Sequence, residues 1–394
     1  MSFNEILFNE LSNTIYKVLN KYKNQIENNN KNDNSDNEIG IILSNQATLM
    51  KLLEEDDINE SDSFFVENPD CKEIFNYKNA SFFYEQLKNG NFYYPPKPHY
   101  KHISLVFMAW ASLSKFPIQF NPLYGLREVI KSEQEKDNIT TSKKDDDNNS
   151  NSNSNSNSNS NSNSNSNSNS NSNSNSNSSI SSISSNSKDN DSSEKKEQEE
   201  QEDTQKVEMK YFENLNQKVV QFLNESWNSN NSNDDDGEEK KNQFIFEFFK
   251  NLSNRNLLTI FGVRKTKLSL DNILLPGPIQ LIKSSNLLHS PPPASSKLTV
   301  SSRALSKHGI RSKDSFWGSD KGPELVKNKR SEGVLIKILK EPAWINIHLL
   351  PHDIKILEIR NQQGYGLRWT SDGCFFRGFL EPQMEGGHEI GWRH

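Results

Sequence analysis

The residues best suited to chemistry lie near the end of the chain. His348, Glu358, Arg360, Arg368 and Arg377 fall within a series of short alternating segments, and His388 lies in the tail that follows. A guanidinium is a planar fork of N–H donors that matches a carboxylate or phosphate. Several of them on one face, with Glu358 orienting one arginine, would make a binding site for an anion. The plainer alternative is a solvated sheet face on which Glu358 and the arginines pair across strands.

Other constellations are weaker. His348 and His352 stand four apart with Asp353 beside them, but Pro351 argues against the helix that would bring two imidazoles together. His388, Glu389 and His394 add donors in the tail without a three- or four-ligand geometry. No metal and no cofactor is expected. Acid–base work needs paired carboxylates, or a histidine beside a nucleophile. Glu381, Glu385 and Glu389 would align on a helix, but Pro382, Gly386 and Gly387 oppose one. Ser306, Ser312 and Ser315 lie near His308 without a Gly-x-Ser-x-Gly elbow. Cys374 is expected on an apolar face as an inert thiol.

Short strands must position these residues. The runs Ala343–Leu349, Ile354–Arg360, Tyr365–Thr370 and Cys374–Leu380 are separated by turn chemistry at Pro351-His352-Asp353, Gln362-Gln363-Gly364 and Ser371-Asp372-Gly373. Short connections predict an antiparallel meander. Alternation places Ile345, Ile347, Leu349, Leu357, Ile359, Tyr365, Leu367, Trp369, Cys374, Phe376 and Leu380 on one face. The opposite face takes Asn346, His348, Glu358, Arg360, Arg368 and Arg377. Helices over Leu298–His308 and from Glu324 to Pro342 would cover the apolar face.

Upstream, the three- and four-residue steps of Leu7, Leu11, Ile15, Val18 and Tyr22 predict an amphipathic helix. Further helices are expected at Gln46–Glu54, Ala80–Lys88, His102–Ser114, Val207–Trp227 and Phe244–Leu258. The unbroken Asn/Ser alternation from Asn149 to Ser178 has no apolar periodicity and is expected to be disordered. The fold class is therefore α+β. An N-terminal helix (1–27) leads to a helical portion (38–130), a disordered Asn/Ser-rich insertion (131–205) and a continuation of the helical portion (206–290). A helix-plus-antiparallel-sheet unit (296–394) follows. The biased stretch 228–241 is expected to interrupt the chain.

The net charge of −6 hides a division: from Val263 onward basic residues outnumber acidic ones by 20 to 12. With two widely spaced cysteines and no apolar run near the ~20 residues of a membrane span, a reduced cytosolic compartment and no membrane partner are expected. Lys327-Asn328-Lys329-Arg330 is a weak nuclear address.

Gly364-Tyr365-Gly366-Leu367-Arg368-Trp369, Asp372-Gly373, the run Phe376-Arg377-Gly378-Phe379-Leu380-Glu381-Pro382-Gln383-Met384-Glu385-Gly386-Gly387-His388 and Gly391-Trp392-Arg393-His394 form a pattern. Arg303–His308, Phe316-Trp317-Gly318 and Ala343–His348 precede it. This resembles the C-terminal signature of an uncharacterised family of eukaryotic proteins, and the resemblance implies no activity, ligand or cofactor. With no catalytic motif in view, the leading expectation is a non-enzymatic binding or regulatory protein that recognises a protein partner or a small anionic ligand through this last unit. An enzyme of hydrolase type, using His348, His352 or His388 with Glu381 or Asp353, is the alternative. Nucleic acid, bound through the basic stretch Lys297–Lys340, ranks last among the partners.

Overall fold

The computed structural model describes residues 2–29, 46–55, 75–121, 123, 209–225, 227, 235–266, 268–290, 292–293, 295–311 and 315–383. The expected disordered insertion (131–205), His388 and the Gly-rich tail lie outside the described residues. The chain is α+β. Helices α1 (Glu5–Asn29), α2 (Gln46–Met50), α3 (Ala80–Lys88), α4 (His99–Leu113), α5 (209–225), α6 (Asp235–Lys250), α7 (Asn254–Ile260), α8 (Pro278–Ser285), α9 (Val300–Arg311) and α10 (Glu324–Lys340) precede the strands. Strands β1 (Trp344–Leu350), β2 (Ile354–Arg360), β3 (Gly366–Thr370) and β4 (Phe376–Leu380) follow as an antiparallel meander in chain order.

The apolar stripe of α1 is buried through Leu11, Ile15, Val18 and Tyr22, against α4 and α6. Helix α4 is buried almost all round. It carries two histidines in the core. His102 accepts from the Tyr93 hydroxyl at Nδ1 (2.9 Å) and donates from Nε2 to the Ile260 carbonyl (3.0 Å). The neutral ring is thus fully bonded, and protonation would turn its one acceptor into a donor facing a hydroxyl. Burial lowers its pKa from 6.5 to about 3, and that of His99 to about 4. A histidine held neutral in the native state but free to protonate when unfolded makes stability fall as pH drops below 6.5. Between pH 7 and pH 5 His102 alone is expected to cost about 2 kcal/mol. His99 contributes over the same window, so the drop in stability between the two pH values, compared by urea unfolding in wild type and His102→Gln, isolates His102, and equal drops would exclude it.

Two helical expectations change. The run 244–258 is two helices, because Ser253 accepts from the amide of Asn256 and starts α7 as an N-cap. Residues 235–241 of the stretch 228–241, expected to interrupt the chain, form the start of α6.

In the sheet, the pairings Ile347–Leu357–Trp369 and Ile345–Ile359–Leu367 bring the apolar face together. Helices α8 and α9 pack on β4, and α10 packs on β2 and β3. The Trp369 indole donates to the Leu281 carbonyl and the Ser285 hydroxyl of α8, so this large buried ring leaves no orphan donor. A β-bulge at Arg368/Trp369 breaks strict alternation in β4. Trp369 faces Phe376 and Leu367 faces Phe379, so Phe379 rather than Leu380 joins the apolar face, while Arg368 faces Gly378. Cys374 sits exposed in the preceding turn, not on the apolar face. That turn is fixed in place. Gly373 has φ +74°, and a Cβ there would lie 2.8 Å from Pro276, so only glycine lets the turn dock.

The outer edge of β1 is covered by the segment ahead of α8. Arg264 and Leu270 donate to the carbonyls of Ile345 and Ile347, and Leu349 donates to that of Leu268. Pairing there removes the open edge that a sheet otherwise exposes. Among the described residues β4 has no such covering segment on its outer edge.

Candidate functional site

Cross-strand pairing assembles the polar face. Asn346, Glu358, Arg368 and Gly378 form one row across the four strands, and His348, Ile356 and Thr370 form the next. Glu358 lies at the centre. Its Oε1 accepts from Arg360 Nε at 2.6 Å, and its Oε2 accepts from Arg368 Nη2 at 2.6 Å and Nε at 3.1 Å. His348 Nε2 stands 3.5 Å from Oε2, too distant for a strong hydrogen bond but close enough to feel the charge. Burial by itself would raise the Glu358 carboxyl. His348, Arg360 and Arg368 outweigh it and hold the group far below the usual carboxylate range.

The four side chains differ in access. Those of Glu358 and Arg360 are 3% and 1% exposed, against 17% for His348 and 22% for Arg368. Arg360 is consumed internally: its Nη1 donates to the carbonyls of Gly364 and Glu381 (2.6 and 2.9 Å). It acts as an internal tie, and His348 and Arg368 form the exposed part. Arg377 is carried out of the row by the bulge and stands exposed on β4, with Gly378 in its place opposite Arg368. Asn346 is fully buried, bonded to Thr266 and Ser269 of the segment that covers β1. The face is therefore closed on the β1 side; toward β4, a Cβ on Gly378 would meet nothing within 4 Å among the described residues.

The charges do not balance. One carboxylate faces two guanidiniums that stay charged at any physiological pH. Two buried ring nitrogens on the same face, His348 Nε2 and Trp344 Nε1, have no hydrogen-bond partner among the described residues. Their rings touch edge to face at 6.3 Å. Buried polar atoms are bonded in all but a few cases, and these two nitrogens are exceptions.

A second cluster was not anticipated. Glu381, just past β4, accepts at Oε1 from His308 Nδ1 of α9 (2.7 Å) and from Trp317 Nε1 (2.8 Å). Phe316 stacks on Tyr365 beside it, ring centroids 3.9 Å apart. Glu381 therefore partners His308 rather than His348 or His352. The only hint in the sequence was that His308, Trp317 and Glu381 each lie in one of the patterned segments. His352 and Asp353 occupy an exposed turn with positive φ, apart from both clusters. Among the described residues no three His, Cys, Asp or Glu side chains are grouped to hold a metal ion.

A cavity of about 610 Å³ lies elsewhere, between the helical portion and the β2–β3 turn, lined in part by Gln86, Asn91, Arg264, Lys337 and Gln363. Arg264 is engaged with the carbonyls of Asn121 and Ala343. Its lining has one carboxylate, Glu341, and no histidine among the described residues.

Residues 289–381 match the family described as the CdiA C-terminal tRNase toxin domain. The match spans less than a quarter of the chain and includes both clusters. No curated protein and no solved structure matches the chain. The match overturns the expectation of a non-enzymatic binding or regulatory protein for a protein partner or small anionic ligand. It also overturns the placing of nucleic acid last among the partners, since the matched family is described as a tRNase. The physical reason is that a guanidinium-bearing face suits a carboxylate as well as a phosphodiester, and no contiguous motif in the sequence tells the two apart. Among the described residues no helix is long and apolar enough to cross a membrane.

Proposed function

We propose that the C-terminal unit is a ribonuclease domain, with tRNA as the first substrate to test, acting through the polar sheet face. The observation that carries this reading is the Arg360–Glu358–Arg368 cluster, with Arg368 partly exposed, inside the segment that matches a tRNase family. A phosphodiester is the anion such a face suits. Arg368 offers the guanidinium edge not turned to Glu358 to a phosphoryl oxygen, and it stabilises the charge that builds in the transition state. Glu358 holds Arg368 and Arg360 in place and keeps their charge from dispersing the site. His348, its Nε2 turned to Glu358, takes the proton of the 2′-hydroxyl at Nδ1, which otherwise lies 3.3 Å from the Leu349 carbonyl. The freed oxygen attacks the adjacent phosphorus, the bond from phosphorus to the 5′-oxygen breaks, and water entering from the β4 side protonates the departing oxygen. The products are a 2′,3′-cyclic phosphate and a 5′-hydroxyl end.

The full chain incubated with tRNA is expected to give these ends, and to leave a DNA strand of the same sequence intact because it lacks the nucleophile. Equal cleavage of DNA would remove the 2′-hydroxyl mechanism, and failure to cut any RNA would remove the reading. A second reading rests on the His308–Glu381 pair: a carboxylate 2.7 Å from Nδ1 fixes the imidazole and leaves Nε2 to act as the base. The two readings predict different histidine requirements.

A further inference from the structure

The β3–β4 hairpin carries an aromatic ring that the fold does not use. Phe375 is 67% exposed, among the most exposed large apolar side chains of the described residues. Its backbone is well anchored. Phe375 N donates to Thr370 Oγ1 (3.1 Å), and its carbonyl accepts from Thr370 N (3.0 Å). Asp372 Oδ1 accepts from Thr370 Oγ1 and from the amide of Cys374. Gln280 of α8 donates to the Asp372 carbonyl, and Gly373 packs against Pro276. The ring is thus presented on a rigid support and not on a wandering loop.

The register says which way it is presented. Trp369 and Phe376 meet in the core, 5.1 Å between centroids, so the next pair outward, Thr370 and Phe375, belongs to the opposite face. That is the face of His348, Glu358 and Arg368. On sheet spacings, one strand across and two residues along, Phe375 lies ~8 Å from Arg368. Arg377, the bulge residue opposite Arg368 and Trp369, is exposed two positions along the chain from Phe375. An exposed ring and an exposed cation thus lie close together in the chain at the β4 side of the sheet. Asp372, the nearby acid, is turned into its own hairpin.

We infer that Phe375 is a stacking platform for an unpaired nucleobase of the RNA, next to the phosphate held by Arg368, with Arg377 tracking the following backbone phosphate. An aromatic face accepts any base, and it needs that base unstacked from its neighbours. The substrate class is consequently RNA cut in a loop or single strand, not within a helix. This inference rests on the ribonuclease reading.

The test uses the full chain and a single-stranded RNA oligonucleotide in which every 2′-hydroxyl is methylated, so that binding is measured without cleavage, and one base is replaced by the fluorescent 2-aminopurine. The wild type is expected to bind and to quench the fluorophore by stacking. Phe375→Ala and Phe375→Leu are expected to weaken binding on the order of 10-fold or more and to abolish quenching, whereas Phe375→Tyr and Phe375→Trp retain both. Because the side chain is exposed, thermal midpoints should not move. If Phe375→Ala binds and quenches like the wild type while the wild type cleaves unmodified RNA, the platform is wrong and the ribonuclease reading stands. A wild type that neither binds nor cleaves RNA overturns both.

Discussion

Glu358→Ala is expected to destabilise the protein by about 3–5 kcal/mol, the range for removing one partner of a buried ionic group. The size follows from what remains. Arg360 is 1% exposed and would lose the acceptor at its Nε, keeping only two carbonyls at the far end of the guanidinium. Arg368 would lose both bonds that fix its fork. Two positive charges would then share a low-dielectric face with nothing between them. The cost comes from unpaired charge rather than from the worth of the pair, so the double variant Glu358→Ala/Arg360→Met should recover part of the loss. Urea unfolding measures both. A single-variant cost under about 1 kcal/mol would mean that the charges are solvated and the cluster is looser than described. The pH dependence has a definite sign. The folded carboxyl lies far below its ordinary value of 4.5, so its contribution is complete above about that pH and is lost as the pH falls further. Wild type and Glu358→Ala should therefore differ most near neutrality and converge in strong acid.

The parts of this structure that could be read in advance are those in which periodicity acts alone. The stripe from Leu7 to Tyr22 is a helix because those side chains share one face. The alternation of Ile345, Ile347, Leu357 and Ile359 places each residue inward as expected. Alternation also brought His348, Glu358, Arg360 and Arg368 to a common face. It could not say which of them would reach solvent. That depends on the segment from Arg264 to Leu270, which runs along β1, buries Asn346 and closes one side. The bulge in β4 was equally hidden, because one extra residue costs the sequence nothing recognisable and yet moves Arg377 out of the row. The bond between His308 and Glu381 joins positions 73 residues apart, and no local pattern encodes a contact that exists only once α9 lies on β4. Local order was legible; long-range closure was not, and the chemistry lies in the closure.

Replacing either exposed member of the cluster should then separate folding from activity. His348→Ala is expected to lower single-turnover cleavage of tRNA by 10²–10⁴-fold, the usual worth of a positioned proton acceptor. Arg368→Ala should cost about 10²–10³-fold, comparable to losing one donor to a developing oxyanion. Arg368→Lys should rescue little. An ammonium is a point charge, and it cannot bond Glu358 through two nitrogens while offering another edge to phosphate. Both side chains are partly exposed, so stability should change far less than in Glu358→Ala, and a matched urea midpoint is the control. His308→Ala decides between the two proton-transfer readings. If activity depends on His348 and Arg368 but survives loss of His308, the sheet face is the catalytic surface, and Glu381 serves to tie α9 and Trp317 to the end of β4. If His348→Ala and Arg368→Ala stay within a few-fold of wild type while His308→Ala is inactive and folded, the proton is moved at Glu381 instead. The surplus charge around Glu358 would then bind the RNA backbone without touching the reacting atoms. It would appear as a salt-dependent affinity, since each released phosphate counterion steepens the fall of binding with salt.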